Sequence, residues 1–154
     1  MTAIILALVA TFAQAPESPG ERKARMNDMI LEAPSTRTIE KGDQSNIDDA
    51  RQVLVRTEAE WVKLWQQHGG DRPRPRIDFS KEMVIGLFMG SRPSAGFSTA
   101  VISATAGNGA LIVRYSETMP APKTLSAQVL TFPFHLVAIP KATVTDVKFE
   151  KAAK

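Results

Sequence analysis

Residues 75–97 read PRIDFSKEMVIGLFMGSRPSAGF, and this stretch decides the fold class. Six of the seven residues from Met83 to Met89 are apolar, which predicts a strand that is covered on both faces. Gly86 interrupts the run and marks either a bulge or a place where a ring lies against the backbone. The following residues Gly90–Phe97 contain a proline and a glycine at turn positions. We therefore expect a buried strand followed by a constrained loop.

The residues before this stretch predict a single helix. Thr57 with Glu60 three residues later forms a capping-box pattern, and Gly69-Gly70 provides a stop. The apolar side of the helix repeats at spacings of three and four and carries Trp61, Leu64, Trp65 and His68. Because two tryptophans can bury a large area, we expect this helix to pack on a sheet. The predicted structural core is Trp61, Trp65, Phe79 and Phe88.

Short alternating segments separated by turn residues predict the remaining strands. They are Gln52–Arg56, Phe97–Ala104, Leu111–Ser116, Phe134–Ile139 and Thr145–Glu150, with short strands also expected at Ile30-Leu31 and Ser35–Ile39. Asn108-Gly109 is a two-residue hairpin signal, since both residues tolerate positive φ. The predicted fold class is mainly β (α+β): a single, largely antiparallel sheet or sandwich-like domain with one packed amphipathic helix.

The length of 154 residues suits one folded domain with a real core. An apolar run from Ala3 to Phe12, followed by Ala13-Gln14-Ala15, is typical of a secretory signal, although no basic residue precedes it. The predicted organisation is a signal peptide at 1–15, an N-terminal tail and loop-rich lead-in at 16–50, and a β domain at 51–150. We expect export to the periplasm or beyond, with no stable membrane span after signal cleavage.

Composition and motifs argue against most catalytic classes. The chain has no cysteine, so disulfide scaffolds and Cys-ligated metals are excluded. The net charge of +3 comes from scattered basic residues, which does not indicate nucleic acid as a partner. There is no nucleophile elbow, phosphate loop, dinucleotide fingerprint or zinc-binding helix motif. We expect His68 and His135 to be structural, and we predict no catalytic residue, no cofactor and no metal.

The loop Gly90–Phe97 is the candidate for binding another protein. A rigid loop of small residues with one arginine loses little conformational entropy when it binds. The alternative is that it is simply a well-formed connection between two strands. The candidate contact residues are Arg92, Pro93, Ser94, Ala95, Gly96 and Phe97.

The order of these motifs resembles the C-terminal domain of the protease complex subunit PrcB family. The matching motifs are the Trp61/Trp65/His68 helix, Ile77-Asp78-Phe79, Met83–Gly90, Arg92–Phe97, Val129–Val137 and Ile139-Pro140-Lys141. The family loop usually reads P-T-G-G-Y, whereas this chain has P-S-A-G-F at 93–97 and so lacks a glycine and a tyrosine hydroxyl. The resemblance implies a small, exported, mostly β domain without catalysis of its own, and an accessory subunit of a secreted protease complex.

The resulting hypothesis is a non-catalytic, exported protein-interaction domain that assists or stabilises an extracytoplasmic protease. One alternative is a peptidase inhibitor that binds through residues 90–97, because the Pro-x-x-Gly-aromatic loop is similar to a binding loop of chagasin-type inhibitors. A second alternative is a small hydrolase using His135 or Ser94, or a purely structural envelope protein. A hydrolase requires a nucleophile, a base and an orienting acid within hydrogen-bond reach of one another.

Overall fold

The computed structural model describes residues 36–153, which form seven strands and one helix. The elements are β1 (Arg37–Gly42), β2 (Ala50–Val55), α1 (Glu58–Gly69), β3 (Glu82–Met89), β4 (Ser98–Gly107), β5 (Ala110–Thr118), β6 (Phe134–Pro140) and β7 (Asp146–Lys151). The predicted signal peptide at 1–15 and the strand at Ile30-Leu31 lie outside the described residues. Within the described part of the chain, no helix has the length and apolar character needed to cross a membrane.

The strands divide between two sheets. A four-stranded antiparallel sheet has the order β1-β6-β3-β2, and a three-stranded sheet has the order β4-β5-β7. The predicted mainly β, sandwich-like domain with one packed helix is confirmed. The pair β5–β7 is parallel, which differs from the antiparallel pairing of the other strands. Strand β7 follows β6 of the other sheet, so no tight turn from β5 dictates its direction.

Strand β3 lies between two apolar layers, which explains its uninterrupted hydrophobic run. Val84 and Phe88 belong to the cluster that includes the helix tryptophans, whereas Ile85 and Leu87 belong to the cluster shared with the three-stranded sheet. Because side chains alternate along a strand, one face of β3 meets α1 and the other meets β4 and β5. The domain therefore has three layers: the helix, the four-stranded sheet and the three-stranded sheet.

Helix α1 begins and ends where its sequence predicts. The Thr57 hydroxyl accepts a hydrogen bond from the Glu60 N–H at 3.3 Å, and the Glu60 carboxylate accepts one from the Thr57 N–H at 3.1 Å. The helix ends at Gly69, and the next residue, Gly70, has φ of +58°, a conformation that glycine adopts without strain. The capping box satisfies amide groups that have no partner inside the helix.

The two tryptophans hold the segment that follows the helix. Trp61 Nε1 donates to the Pro75 carbonyl at 3.0 Å, and Trp65 Nε1 donates to the Arg72 carbonyl at 2.9 Å. The ring centroids of Trp61 and Trp65 are 5.4 Å apart. Trp61, Trp65 and Phe88 are buried, and Phe79 is partly buried at the edge of the same cluster. Residues 72–76, in which arginine and proline alternate, are thus held against the helix through their backbone carbonyls.

Two glycine positions explain local geometry. A Cβ built on Gly86 would lie 2.8 Å from Val53 Cγ2 and 3.0 Å from Phe88 Cε2, so side chains occupy the space that glycine leaves. Gly86 gives no bulge, because β2 and β3 pair there without a register shift. Asn108 and Gly109 both have positive φ (51° and 75°) and join β4 to β5 in the predicted hairpin.

The sequence analysis starts the β domain at residue 51, but the four-stranded sheet begins earlier in the chain. Strand β1 (Arg37–Gly42) pairs with β6 at the edge of the four-stranded sheet, so residues within the predicted 16–50 lead-in belong to the fold. Its sequence, RTIEKG, contains one apolar residue, because an edge strand with a register shift between Thr38 and Glu40 needs little apolar surface. The sequence analysis places a short strand at Ser35–Ile39, and the structure places it at Arg37–Gly42.

Candidate functional site

The loop Gly90–Phe97 leaves the four-stranded sheet and enters the three-stranded sheet. It starts at Gly90, whose φ is +72°, directly after β3. The Ser91 N–H donates to the Asp48 carbonyl at 3.0 Å, which ties the start of the loop to the segment before β2. The loop therefore begins from a fixed point on the most buried strand.

A second segment, on the long connection between β5 and β6, is hydrogen-bonded to this loop. Arg92 and Thr131 exchange backbone hydrogen bonds, with N–H to carbonyl distances of 2.7 and 2.9 Å. The Ala95 N–H donates to the Ala127 carbonyl at 2.9 Å, and the Thr131 hydroxyl donates to the Ser94 carbonyl at 3.0 Å. Four hydrogen bonds thus join the two segments, so they form one preorganised surface.

The structure exposes part of the predicted contact set. Pro93 and Gly96 are exposed, and Arg92, Ala95 and Phe97 are half-buried. Ser94 is only 8% exposed, and its hydroxyl donates to the Ala95 carbonyl at 3.2 Å. The burial of Ser94 follows from the 127–131 segment, which covers that side of the loop. Ser94 therefore supports the loop and offers little surface for contact.

Arg92 is the one cation of the loop, and its side chain lies over the Phe97 ring, with 5.8 Å from Cζ to the ring centroid. This arrangement places a guanidinium on an aromatic face. The Arg92 Nε is buried and has no hydrogen-bond partner among the described residues. At position 97 the ring serves as a platform for Arg92, a role for which the tyrosine hydroxyl of the family pattern is not required.

Apolar side chains are concentrated beside the loop. Among the described residues, six large hydrophobic side chains are exposed, and four of them lie between residues 119 and 130: Met119, Leu125, Val129 and Leu130. Pro120 packs against Gly96, where a built Cβ would lie 3.1 Å from Pro120 Cγ. We call residues 91–97 and 119–131 together the loop surface. Exposed apolar residues grouped in this way are typical of a protein contact surface.

Sequence reasoning missed the second half of this surface. It uses Val129–Val137 only as a motif of the family resemblance and includes no residue of 119–131 among the candidate contacts. The available signal was Leu125 and Val129-Leu130, apolar residues in a segment without a strand or helix pattern. These residues lie near Arg92 only because distant parts of the chain pair through their backbones, and local sequence patterns do not predict such pairing.

His135 connects the two sheets. Its Nδ1 accepts a hydrogen bond from the Val101 N–H on β4 at 3.0 Å, so the ring proton lies on Nε2, which faces the Thr38 hydroxyl at 3.0 Å. Burial and, to a smaller extent, the positive charge of Lys41 lower the pKa of His135 to about 4. A protonated Nδ1 would lose its bond from Val101, so the neutral ring is the form that the fold requires.

Acid should therefore destabilise the domain through His135. The pKa of His135 is 6.5 in the unfolded chain and about 4 in the folded protein. Between pH 6.5 and pH 4 the unfolded chain therefore binds one proton more than the folded protein does. The stabilisation is nearly complete above pH 6.5 and falls by about 3 kcal/mol as the pH drops to 4. Urea unfolding of wild type and His135→Asn at pH 7, 5.5 and 4.5 tests this, because the Asn carbonyl can still accept from Val101. Identical pH dependence in both proteins would contradict the assignment.

A second histidine forms a buried polar chain. The Ser45 hydroxyl lies 2.9 Å from His68 Nδ1, and His68 Nε2 lies 3.1 Å from Glu40. Arg72 contacts the same carboxylate at 2.6 Å. Burial lowers the pKa of His68; for Glu40 burial acts to raise the pKa, but the bonds from Arg72 and His68 outweigh it and lower it. His68, which the sequence analysis expects to be structural, thus belongs to a buried network that includes Ser45 and Glu40.

The Glu40–His68–Ser45 order is that of a catalytic triad, but the environment is that of a core. His68 is 0% exposed and Ser45 is 4% exposed. The Ser45 hydroxyl also accepts a bond from the Ile47 N–H at 3.1 Å. A substrate cannot reach this hydroxyl without opening the core. The three hydrogen-bonded side chains instead hold β1, the loop after it and α1 together. Across residues 36–153, no group of three or more His, Asp and Glu side chains could hold a metal ion.

The comparisons with known proteins concern the part of the chain that carries the loop surface. Residues 83–140 match the family model described as PrcB C-terminal, which confirms the resemblance predicted from the sequence. The matched segment runs from β3 to β6 and includes both halves of the loop surface. No curated protein and no solved structure gives a significant match.

Proposed function

We propose, from the premise that residues 83–140 carry the PrcB C-terminal domain, that this chain is a non-catalytic subunit that binds an extracytoplasmic peptidase through its loop surface. The observation that carries the proposal is the pairing of residues 91–97 with residues 127–131. This pairing presents Arg92 beside a group of exposed apolar side chains.

The composition of the surface fits a protein partner. Interfaces are enriched in arginine and in apolar residues at their centres, and they lose less affinity when the binding loop is already rigid. The four hydrogen bonds between the segments supply that rigidity before binding. Leu130 and Val129 offer apolar contact area, and Arg92 offers a cation that can pair with a carboxylate of the partner.

A supporting role without catalysis agrees with the positions of the reactive side chains. Ser94 donates to a neighbouring carbonyl, and His135 is engaged with Thr38 and Val101, so neither residue activates the other. Ser45 and His68 are bonded to each other, but they lie in the core. If the chain is exported, as proposed, it reaches the compartment that contains secreted peptidases.

The test is affinity recovery of a peptidase from culture medium and periplasmic extract of the source cells. We expect the double variant Arg92→Glu/Leu130→Ser to recover at least tenfold less peptidase activity than wild type, since a reversed charge and a lost apolar contact weaken one interface. The matched control Arg114→Glu/Ile112→Ser also replaces an arginine and an aliphatic residue, on exposed positions of β5, and should recover wild-type activity. Equal recovery by the two double variants would refute the proposal.

The same recovered complex separates an accessory subunit from an inhibitor. An accessory subunit is expected to leave peptidase activity intact and to slow its thermal inactivation, because binding to the native form stabilises it. An inhibitor acting through residues 90–97 would instead reduce the activity in proportion to the amount added. Recovery of no peptidase from either extract would favour the structural envelope protein and overturn the proposal.

A further inference from the structure

An open groove runs between strand β2 and helix α1. Strand β2 is an outer strand of the four-stranded sheet, and within the described part of the chain it pairs only with β3. The groove has a volume of about 320 Å³. Its strand side contains Arg51, Val53, Leu54 and Val55, and its helix side contains Glu60, Lys63, Leu64 and Gln67. Alternate strand residues and helix residues three and four apart thus share one concave face.

The hydrogen-bond pattern shows which backbone groups of β2 point toward the open edge. The Met89 N–H donates to Pro133 at 2.9 Å, so Met89 turns its backbone toward β6 and the preceding residue, Phe88, turns toward β2. Phe88 is opposite Arg51 in the register. Arg51 and every second residue after it therefore bond to β3, and the residues between them turn their N–H and C=O groups to the open edge.

The outward-facing residues of β2 are Gln52 and Leu54. The next residue in this alternation, Arg56, donates its N–H to the Glu60 carboxylate at 2.8 Å, on the helix side, as the pattern requires. No other residue in the range 36–153 hydrogen-bonds to the N–H or C=O of Gln52 or Leu54. Four backbone groups thus line the edge of the groove, at the spacing that an added strand would match.

The other sheet edges carry features that oppose strand addition. Strand β1 has a register shift between Thr38 and Glu40, and β4 has one between Val101 and Ser103. Strand β7 carries charges in alternation, with the sequence DVKFEK. Strand β2 has six consecutive regular pairs with β3 and contains no proline, glycine or lysine. It is the edge least protected against pairing with another strand.

We propose that this groove binds an extended segment of a partner protein, which adds to β2 as a further strand. The segment exchanges hydrogen bonds with Gln52 and Leu54, and its alternate side chains enter the apolar floor formed by Val53, Val55 and Leu64. An extended backbone is the ligand that fits a row of unpaired N–H and C=O groups. This inference shares with the proposed function only the premise that the ligand is a protein.

Arg51 and Lys63 favour an acidic residue in the bound segment, since the Glu60 carboxylate that also lines the groove already accepts hydrogen bonds from the Arg56 and Thr57 amides. Arg51 donates to Gln67 at 2.6 Å across one end of the groove, and its Nε is buried without a hydrogen-bond partner in the described residues. The nearest carboxylate is that of Asp49, 3.7 Å from the same nitrogen. Lys63 adds an exposed positive charge on the helix side. A carboxylate at the Arg51 end of the segment would complete these contacts.

The probes for the test are two fluorescein-labelled synthetic peptides, EVTVTVT and TVTVTVE, which place the glutamate at either end. One of them should bind the full chain, and binding should slow hydrogen exchange at the Gln52 and Leu54 amides. The variant Gln52→Pro removes an edge donor without removing a bond to β3, and it should weaken binding at least tenfold. Gln52→Ala keeps that donor and should bind within threefold of wild type.

The outcomes decide the proposal independently of any peptidase. Failure of both peptides to bind, protection of amides elsewhere, or equal binding by Gln52→Pro and Gln52→Ala would overturn it. The peptide EVTPTVT should bind neither the wild-type protein nor Gln52→Ala, since its proline interrupts strand pairing. Should Gln52→Pro prove unfolded by circular dichroism, amide protection in the wild type still decides. Self-association that sedimentation detects and Gln52→Pro abolishes would assign the edge to a second copy instead.

Discussion

Replacement of Trp61 by alanine is expected to lower the free energy of unfolding by about 4 kcal/mol, the largest effect of any single substitution considered. Trp61 is 0% exposed, packs against Trp65, and donates to the Pro75 carbonyl at 3.0 Å. The substitution leaves a cavity between α1 and the four-stranded sheet and removes the donor for that carbonyl. Since small domains have about 5–15 kcal/mol of stability, much of the margin would be lost.

The measurement is urea unfolding followed by far-ultraviolet circular dichroism, which does not depend on tryptophan emission. Trp61→Phe should lose about 2 kcal/mol, because it retains part of the apolar volume but not the bond to Pro75. Gln66→Ala, an exposed position on the same helix, should change stability by less than about 0.5 kcal/mol. A loss in Trp61→Ala no greater than that in Gln66→Ala would show that the helix does not close the core.

Gly90→Ala is expected to destabilise the domain by about 3 kcal/mol. Gly90 has φ of +72°, where an L residue costs about 1–2 kcal/mol, and a built Cβ lies 2.8 Å from both the Ala50 nitrogen and the Asp48 carbonyl oxygen. Both neighbours are backbone atoms, so they cannot move aside as a side chain could. The chain must shift where β3 leaves the sheet and the loop surface begins.

Gly107→Ala provides the matched control for this substitution. A built Cβ on Gly107 has no atom within 4 Å, so the same change should alter stability by less than about 0.5 kcal/mol. Urea unfolding of the two variants compares a constrained glycine with an unconstrained one. Peptidase recovery by Gly90→Ala should also fall, since Gly90 sets the direction of residues 91–97. Equal stability of the two variants would contradict the strain assigned to Gly90.

Much of the fold is predictable from local patterns. The apolar run at Met83–Met89 indicated a strand covered on both faces, and Thr57 with Glu60 marked the start of α1. Asn108-Gly109 located the hairpin between β4 and β5. Each of these signals depends on residues close together in the chain, where periodicity and turn chemistry act directly. Strand β1 was harder to delimit, because an edge strand with one apolar residue lacks such a signal.

Half of the loop surface was also predictable. Gly90–Phe97 stands out by its turn residues, and the order of motifs led to the PrcB C-terminal family. The partner segment, residues 127–131, has no regular pattern of its own. Its hydrogen bonds to Arg92 and Ala95 join residues more than thirty positions apart, and they arise only when β3 and β6 pair. The burial of Ser94 has the same cause.

By itself the sequence determined the element types, the helix ends, the buried strand and the family resemblance, because these follow from the order and spacing of residues along the chain. Only the tertiary structure decided that β5 and β7 run parallel, that Glu40, Ser45 and His68 meet in the core, and that β2 is an edge strand beside α1 among residues 36–153. Alternation fixes which face a side chain occupies but not which strand lies beside it. Neighbours are chosen by packing across the whole domain.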